Sequence, residues 1–478
     1  MLPSSSHPSI AWRRGVLALI GIAIGVAGCL HPGPASSPLS LADTATAFSD
    51  RNLHDPGLHR FLVENLGREP ATWDFENLSW VAFYYHPSLE VARAQWAVAR
   101  AAQATASARP NPTVGIVPGY STNAPSGTSP WFPALSLDFP LETAGKREQR
   151  TAAEKFSAEA ARLAVLSAAW QVRGDLRRAL LEAVNASHHL PLLQAVAEAQ
   201  RTLVHLLEQR VAAGSIAAGE VSAARIALVR ADASMVEARG QLTIARGHIA
   251  AALGIPVAGI TDLALDDSLV PGAAPLDETA LAAARRESLQ SRADVLGALA
   301  RYESAQAALQ LETAKRYPDI HLGPGYQWDQ GQNKWSLGLT IELPLFNRNE
   351  GPIAEAAARR AEAAAQLNAT QAQVIVAIDN AVAAQTAALA QLDHARQVRA
   401  ELDKQAARVQ ALLAAGGADQ FEAQSAQLES RTAELAVADA DAASRLAAGE
   451  LEDALQVPFS NLNAIANLSR EAAQPRTP

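Results

Sequence analysis

The sequence predicts an α+β membrane protein made of two similar halves, each with two short strands and very long helices. Three observations support this fold class: amphipathic strand patterns, alanine-rich helical runs of unusual length, and the recurrence of both in the same order. An internal repeat is sought first because it decides the architecture of the whole chain. Each half follows the order helix, strand, strand, long helix, turn and return helix.

Composition excludes several classes of function. The chain has 478 residues, of which 49% are hydrophobic but only 5% aromatic, and alanine supplies much of the apolar content. Alanine favours helices and close contacts between them but fills large cores poorly. The net charge is −9 and no basic run occurs, so no nucleic-acid partner is expected. The single cysteine, Cys29, excludes an intrachain disulfide.

The N-terminus has the pattern of a bacterial export signal. Two arginines precede an apolar run over residues 15–27, which is too short to span a membrane comfortably. Residues 26–29 resemble a lipobox, so 1–28 is expected to be a signal peptide and Cys29 to carry lipid, including palmitate. Leu30, rather than an aspartate, follows Cys29. In this respect the sequence resembles lipoproteins that are sent to the outer membrane. An ordinary signal peptide, or an uncleaved anchor with an incidental cysteine, is the alternative.

The first half begins after a tether. Residues 29–76 are expected to form this lipid-anchored segment, rich in Pro, Ser and Gly at first and irregular, with weak helical signals, beyond residue 50. The first repeat covers residues 77–254. Its predicted elements are a helix over 78–108, strands over 113–120 and 131–141, and helices over 146–213 and 220–253. Pro191 should kink or split the longest helix, because proline removes a backbone donor.

The second half repeats the pattern. A linker over 255–276 leads to the second repeat over 277–458, and a polar tail over 459–478 follows. Its predicted elements are a helix over 278–316, strands over 320–328 and 335–343, a helix over 352–415 and a return helix ending near 457. No stretch after residue 29 is continuously apolar for about 18 residues, so no transmembrane helix is expected.

The strands are the most informative elements. Each alternates an apolar face with a polar one, as strands of a soluble two-sheet sandwich also do. Strands of about ten residues cross a bilayer when tilted, and helices of about 100 Å between them leave no room for a sandwich. Aromatic residues also gather at the loop ends, where a membrane interface would lie: Tyr120, Trp131, Tyr326, Trp328 and Trp335.

A single sheet of four strands cannot be complete in lipid. It would leave two edges whose backbone groups lack hydrogen bonds. Several chains must therefore combine their strands, and an oligomer is expected on this ground alone. If the strands close into a ring, the attached helices must continue it as a tube; a solid coiled-coil stalk is the alternative for the helices.

Short motifs occur in the same order along both halves. They are His86-Pro87-Ser88-Leu89, Arg109-Pro110-Asn111-Pro112, Pro140, Tyr317-Pro318-Asp319, the Pro-Leu-Phe-Asn-Arg-Asn run over 344–349, and the paired glycine turns. Together they resemble the TolC family of outer-membrane efflux channels over nearly all of the mature length. The resemblance implies a homotrimer with a 12-stranded outer-membrane β-barrel, four strands per chain, continued by a long periplasmic α-helical barrel.

The resemblance also implies a function and partners. Channels of this family are passive export ducts for small solutes in tripartite efflux systems. The expected partners are a periplasmic adaptor (membrane fusion) protein, an inner-membrane pump of the RND type and outer-membrane lipid. Residues 344–351 look most like the heavy-metal (CzcC-like) branch, which would make the solutes heavy-metal cations. Export of drugs or other organic solutes is the alternative.

Site residues follow from the same resemblance. The turns between long helices are expected to dock the adaptor through Arg210, Gly214, Ser215, Gly219, Glu220, Leu412, Gly416 and Gly417. Asp419 and Glu422 are hypothesised to form acidic rings at the closed aperture when three copies converge, since carboxylate rings favour cations. The alternative is that each carboxylate only stabilises a helix N-terminus.

Four charged or titratable residues are expected to face the barrel lumen and keep it wet: Asp138, His321, Lys334 and Glu342. His188 and His189 are adjacent on a helix and point to different faces, so no metal site is expected there. No HExxH, Walker-type loop or nucleophile elbow occurs, and neither an enzyme nor a cofactor is expected. A non-channel periplasmic coiled-coil envelope protein remains the structural alternative, although an adaptor would need a lipoyl-like β-domain in place of two strand pairs.

Overall fold

The computed structural model describes residues 38–267, 269–270 and 277–456. The expected signal peptide, Cys29 and the tail over 459–478 lie outside the described residues. The chain divides into two compact units, one up to Asp50 and one from Arg51 onward. The described elements are α1 (Leu41–Ser49), α2 (Pro56–Leu66), α3 (Phe75–Tyr85), α4 (Pro87–Ser107), β1 (Thr113–Val117), β2 (Ala134–Leu141), α5 (Lys146–Ala212), α6 (Ala218–Leu253), a 3-10 turn (Val257–Ile260), α7 (Glu278–Ser291), α8 (Ala293–Ala314), β3 (Ile320–Asp329), β4 (Gln332–Ile341), α9 (Glu350–Ala414) and α10 (Gln420–Leu455).

The first unit contains a short helix within the predicted tether. Ser40 caps α1 by accepting a hydrogen bond from the backbone N–H of Asp43 at 3.3 Å. All residues of α1 are exposed. The sequence analysis predicted no helix in this stretch; a serine N-cap favours one here. That residues 29–76 tether the chain to lipid stays a prediction.

The second unit contains helix α2 where the sequence analysis expected an irregular segment with weak helical signals. Asp55 caps α2, and Leu58 and Leu62 of that helix are fully buried. The ring of Phe61 lies 5.9 Å from that of Trp80 in an edge-on contact. Residues 56–66 are therefore part of the core rather than a tether, because apolar side chains three and four positions apart give α2 a buried face.

The main apolar core gathers distant parts of the chain. Helices α2, α3 and α4 pack there against the middle of α5, the end of α6 and the segment that follows α6. Ile255 and Leu269 are almost completely buried, so the predicted linker over 255–276 contributes to the core where it is described.

The two longest helices match their predicted bounds. Helices α5 and α9 contain 67 and 65 residues. Pro191 lies inside α5, and the helix continues through it without splitting. Among the described helices, only α9 contains a stretch apolar and long enough to cross a membrane by length and composition. Packed core helices meet the same criterion, so this stretch assigns no membrane span.

Two predicted helices are each divided into two. The helix expected over 78–108 is interrupted between α3 and α4, and the one expected over 278–316 is interrupted at Arg292. Pro87 is the first residue of α4, where its missing N–H costs no helical hydrogen bond. His86 Nδ1 accepts a hydrogen bond from Ser88 N at 3.3 Å and so caps the new helix.

The four strands form one antiparallel sheet in the order β1-β2-β3-β4. Two strands are shorter than predicted: β1 ends at Val117 and β2 begins at Ala134. Beyond them, Tyr120 and Trp131 form an isolated antiparallel bridge. Strands β1 and β4 are the two free edges of the described sheet.

The helices lie side by side in the order of the strands to which they connect. Next to the sheet, α4 packs on α5, α5 on α8 and α8 on α9. Farther away, α6 packs on α5, α5 on α10 and α10 on α9. Each level therefore has four helices in a row, and α5 and α9 run through both.

Helices α6 and α10 end beside the starts of α4 and α8, between the row of helices next to the sheet and the row farther away. Arginine side chains bridge these helix ends. Arg51 donates from Nη1 to the carbonyl oxygens of Tyr85 and Gly254, each at 3.0 Å, where α6 ends beside the start of α4. Arg292 donates to the carbonyl oxygen of Ala454, where α10 ends beside the start of α8. Each arginine supplies donors to carbonyls that a helix end leaves without a helical partner.

A buried ionic cluster joins the two halves at the same level. Arg173 of α5 lies 2.7 Å from a carboxylate oxygen of Glu452 in α10, and Arg177 contacts Glu452 at 2.9 Å and Asp453 at 3.2 Å. Both guanidinium groups also lie over the ring of Phe75, with their central carbons 4.6 and 4.9 Å from the ring centre. Burial raises the pKa of Asp453 to about 6 against the opposing effect of Arg177.

The close approach at Gly254 generates a prediction. Gly254 has a φ of 74°, and a Cβ there would lie 2.8 Å from Tyr85 O and 2.9 Å from His86 Cα. We expect Gly254→Ala to lower the free energy of unfolding by about 2–5 kcal/mol, from left-handed strain and overpacking together. Chemical denaturation in detergent, followed by circular dichroism, measures this change.

Gly214→Ala is the matched control. Gly214 has a φ of 72° but no atom within 4 Å of the added Cβ. Left-handed backbone strain alone should then lower the free energy of unfolding by about 1–2 kcal/mol. Equal losses in the two variants would show that the contact with Tyr85 does not matter.

Candidate functional site

The sheet has an apolar face that the described chain leaves uncovered. Leu135 lies opposite Tyr326, which in turn lies opposite Trp335, so the apolar residues of neighbouring strands share this face as predicted. The side chains of Trp335 and Leu337 are 80% and 70% exposed. A continuous apolar surface of this kind marks contact with lipid or with another protein.

The opposite face is polar and carries the predicted lumen residues. Asp138 and His321 are brought together, with 3.0 Å between Asp138 Oδ2 and His321 Nδ1. Lys334 does not join them and pairs instead with Asp329 at 2.7 Å. His321 and Glu342 line one cavity of about 550 Å³ at the helical end of the sheet. The sequence analysis predicted this shared face correctly; that it borders a lumen stays a prediction.

Aromatic pairs stand at the loop end of the sheet. The ring centres of Tyr120 and Trp131 are 4.9 Å apart, and those of Tyr326 and Trp335 are 4.8 Å apart. Each pair combines an apolar body with a polar group, which suits a membrane–water interface.

The corners between strands and helices are fixed by polar contacts. Asp319, just before β3, accepts hydrogen bonds from the backbone of Thr143 at 2.9 Å and from Lys146 Nζ at 2.7 Å. Thr143 also donates its hydroxyl to Pro318 O at 2.6 Å. Lys146 is buried despite its charge. These contacts tie the start of α5 to the start of β3, so the sheet and the helices are held in one fixed relation.

The predicted docking residues lie at two turns with the same backbone geometry. In the α5–α6 turn, Ser215 N donates to Arg210 O at 2.9 Å; in the α9–α10 turn, Gly417 N donates to Leu412 O at 2.8 Å. Gly214 and Gly416 both adopt positive φ, at 72° and 77°. Such turns end a helix by satisfying its last carbonyls. Gly219 and Glu220 fall in the first turn of α6.

The two turns also contact each other. Arg210 forms an ion pair with Asp419, and its guanidinium lies 4.9 Å from the ring centre of Phe421. Phe421 packs against an apolar cluster that includes Leu207 and Val221. The structure therefore brings Arg210 and Asp419 together. The sequence analysis missed Phe421, although an aromatic residue beside a glycine turn was available as a signal.

Asp419 and Glu422 cap helix α10. The Asp419 carboxylate accepts from Glu422 N at 2.9 Å, and the Glu422 carboxylate accepts from Asp419 N at 3.0 Å, which is a capping box. This is the helix-terminal role weighed as the alternative to an acidic ring. The hydrogen bond from Glu422 N and the neighbouring Arg210 hold the pKa of Asp419 below its usual range.

These features match a family of outer-membrane proteins. The family model described as outer membrane efflux protein matches residues 82–255 and 284–455, more than half of the chain, and the chain belongs to this family. The recognition made from sequence motifs is thereby confirmed.

One curated relative is the cobalt-zinc-cadmium resistance protein CzcC of Cupriavidus metallidurans, 27% identical over 230 residues. The match covers 45% of this chain and 51% of CzcC, so the chain spans about half the length of this relative.

Solved structures share the fold. The outer membrane protein VceC of Vibrio cholerae has a TM-score of 0.66 at 23% identity, covering 81% of this chain and 97% of VceC. The open-state MtrE outer membrane channel of Neisseria gonorrhoeae has a TM-score of 0.64 at 18% identity, covering 80% of this chain and 88% of MtrE.

The capping box can be separated from the ion pair. Asp419→Ala removes the ion pair and the side-chain acceptor of the capping box, whereas Asp419→Asn keeps an N-cap acceptor and removes the charge. We expect Asp419→Ala to cost the first turn of α10 about 1 kcal/mol, or roughly a fivefold loss of amide protection. Hydrogen exchange of a peptide containing Phe421 and Glu422 measures this loss, and Asp419→Asn should retain most of the protection.

The pH dependence has a definite sign. A carboxylate with a depressed pKa stabilises the folded state above its unfolded pKa and loses this contribution as pH falls through the folded value. Protection at Glu422 should therefore persist from neutral pH down to about pH 4 in the unaltered protein. Loss of protection at pH 6 would contradict the capping geometry.

Proposed function

We propose that this chain is the outer-membrane channel component of a tripartite efflux system and acts as a passive export duct for small solutes. The observation that carries the proposal is the incomplete sheet, with one uncovered apolar face and two free edges. Outer-membrane lipid would cover the apolar face. Membership of the outer membrane efflux protein family supports this assignment and argues against an enzyme.

Three copies would close the structure. Strand β4 of one copy would pair with β1 of the next, and a 12-stranded barrel, four strands per chain, would satisfy the edge backbone groups that lipid cannot. Because the helices follow the order of the strands, the same rotation would close them into a periplasmic helical tube. In this view the chain is an internal duplication, with repeats over 77–254 and 277–458 joined by the segment 255–276.

Several charged side chains at the wall of the proposed duct are paired with opposite charges. At the helical end of the sheet, Arg150 pairs with Glu142 at 2.6 Å and Lys315 with Glu312 at 2.6 Å. Paired charges keep the wall wet without creating a strong field of one sign. Selection of the solute would then fall mainly to the pump, which is expected of a passive duct.

Heavy-metal cations are the proposed solutes. The support is the relationship to CzcC, a cobalt-zinc-cadmium resistance protein, together with the motif over 344–351. Export of drugs or other organic solutes is the second candidate, as in the sequence analysis.

The proposed partners follow from the two ends of the molecule. The helix turns around Gly214 and Gly416 would dock a periplasmic adaptor protein, which links the channel to an inner-membrane pump of the RND type. A lipid on Cys29 would anchor the N-terminus in the outer membrane. The acidic-ring hypothesis places Asp419 and Glu422 near the aperture, where the pair with Arg210 would lower the charge that Asp419 presents.

Reconstitution tests the channel. The purified full chain should form trimers in detergent and give discrete conductance steps in planar lipid bilayers. Size-exclusion chromatography with light scattering gives the stoichiometry. A monomer that stays soluble without detergent and conducts no ions would refute the proposal.

The same bilayers test the acidic rings. Asp419→Ala combined with Glu422→Ala should bring the cation-to-anion permeability ratio closer to one and raise the frequency of opening. Gly219→Ala, at a tip position without a charge, is the control. Unchanged gating and selectivity would restrict both carboxylates to capping α10.

Deletion of the gene tests the solute. A strain that lacks the protein should become sensitive to zinc, cobalt or cadmium and keep its resistance to drugs, and a plasmid copy should restore growth in metal. Drug sensitivity without metal sensitivity would favour the second candidate.

A further inference from the structure

The register of the sheet places a histidine between two carboxylates. His321 of β3 lies opposite Pro140 of β2 and Thr340 of β4. Asp138 precedes the first of these partners by two residues, and Glu342, just beyond β4, follows the second by two. Strand faces alternate with period two, so Asp138, His321 and Glu342 share the polar face. Diagonal neighbours of this kind are within reach of long side chains, and the imidazole therefore has a carboxylate on each side.

The contact with Asp138 sets the tautomer of the imidazole. His321 Nδ1 lies 3.0 Å from Asp138 Oδ2 and 3.2 Å from Oδ1. A carboxylate only accepts hydrogen bonds, so Nδ1 donates and Nε2 of the neutral ring keeps its lone pair. Metal-binding histidines almost always have this arrangement, in which a carboxylate orients the ring through its other nitrogen. His321 Nε2 has no hydrogen-bond partner among the described residues.

The free nitrogen is accessible from a cavity. The side chain of His321 is 41% exposed, and it lines the cavity of about 550 Å³ at the helical end of the sheet together with Glu342. Glu342 is exposed, and its carboxylate makes no hydrogen bond or ion pair with another described residue. Two electron-pair donors without partners therefore share one solvated cavity.

Most other charges of this cavity are already paired. Three of its cations each have a carboxylate oxygen within 2.7 Å, and the pairs are Lys146–Asp319, Arg150–Glu142 and Lys315–Glu312. Arg316 also lines the cavity, and its guanidinium has no such pair within the described part of the chain. Its charge opposes a bound cation, so a cation site here is weak.

The donor set selects the class of ligand. An imidazole nitrogen suits zinc, cobalt and nickel, whereas magnesium and calcium prefer oxygen donors. No group of three or more His, Cys, Asp or Glu side chains that could hold a metal ion occurs in the residues that the structure describes. Water must then fill most of the coordination sphere, and binding stays reversible. Weak binding is what a conducting pore needs, because a tightly held ion does not leave.

We propose that His321 and Glu342 form a weak, solvated site for divalent transition-metal ions on the wall of the barrel, with Asp138 as the positioning residue of the imidazole. The site rests on the proposed export duct and adds a place where exported metal ions bind briefly. Three copies would carry three such sites at one level of the lumen. Loss of the site should leave conduction of simple salts intact, because it removes a ligand and no packing contact.

Zinc block of the reconstituted channel tests the site. In planar bilayers that contain the full-length protein in potassium chloride, Zn²⁺ should reduce the conductance at lower concentration than Mg²⁺ does. His321→Gln should raise the Zn²⁺ concentration for half-block by roughly tenfold or more, since loss of a ligand costs at least as much as loss of its outer-shell partner. Lys334→Gln, at a lumen position paired with Asp329, is the matched control and should keep the block.

Two further variants test the neighbours of the imidazole. Asp138→Asn keeps the shape of the side chain but holds Nδ1 less firmly, and it should weaken Zn²⁺ block by roughly tenfold with Mg²⁺ block unchanged. Arg316→Gln should strengthen Zn²⁺ block, because the opposing charge is gone. If Asp138 only supported the sheet, its loss would change the open conductance or both blocks alike.

Chemical modification gives a readout that needs no conduction. Diethyl pyrocarbonate acylates neutral imidazoles, so Zn²⁺ should protect His321 in the purified full-length protein, and Mg²⁺ should not. Mass spectrometry of the peptide that contains His321 measures the modification. His205, which is exposed and lies 3.0 Å from the side-chain amide of Gln209, is the internal control that Zn²⁺ should leave reactive.

The outcomes separate the metal site from the duct. Equal Zn²⁺ block in the unaltered protein and in His321→Gln, equal block by Zn²⁺ and Mg²⁺, or no protection of His321 overturns the inference and leaves the duct intact. Protection of His321 in a protein that conducts no ions supports the site and refutes the duct.

Discussion

Backbone hydrogen bonding at the edges of the sheet is the constraint on which the rest of the structure depends. Strands β2 and β3 have partners on both sides, whereas β1 and β4 each have one. An unpaired backbone group costs several kcal/mol, or about 4–8 kcal/mol by transfer to an apolar solvent, so a sheet with free edges cannot remain in lipid alone. Because the helices keep the order of the strands, whatever closes the sheet must also close the helices. The outer helices of the row, α6 and α9, likewise carry exposed residues such as Val229, Val236 and Ala390.

Features that repeat along the chain could be predicted from sequence, because each follows from local geometry. The two-residue period of Trp335, Leu337 and Leu339 placed these side chains on one face, and the register confirms it. Glycines before a change of pattern located both turns, since Gly214 and Gly416 adopt the positive φ that glycine favours. The bounds of α5 and α9 were predictable because long alanine-rich runs have few competing structures.

Features that depend on contacts between distant residues could not be predicted in this way. Arg51 meets Gly254 and Tyr85, and Arg177 meets Glu452 and Asp453, only after the chain has folded. Nothing in the local sequence distinguishes these arginines from solvated ones. Helix α2 was missed for a related reason. Its propensity is ordinary, and burial of Phe61 against Trp80 stabilises it.

The two helical hairpins differ in how firmly their return helices begin. Asp419 and Glu422 form a capping box at the start of α10, whereas Ala217 at the start of α6 makes no side-chain cap. An alanine at an N-cap leaves the first turn less stable by about 1 kcal/mol. The α9–α10 hairpin thus has a fixed end, and its cap residue also holds Arg210 of the other hairpin. Asp419 therefore links local helix stability to the spacing of the two hairpins, and a change at this one carboxylate acts on both.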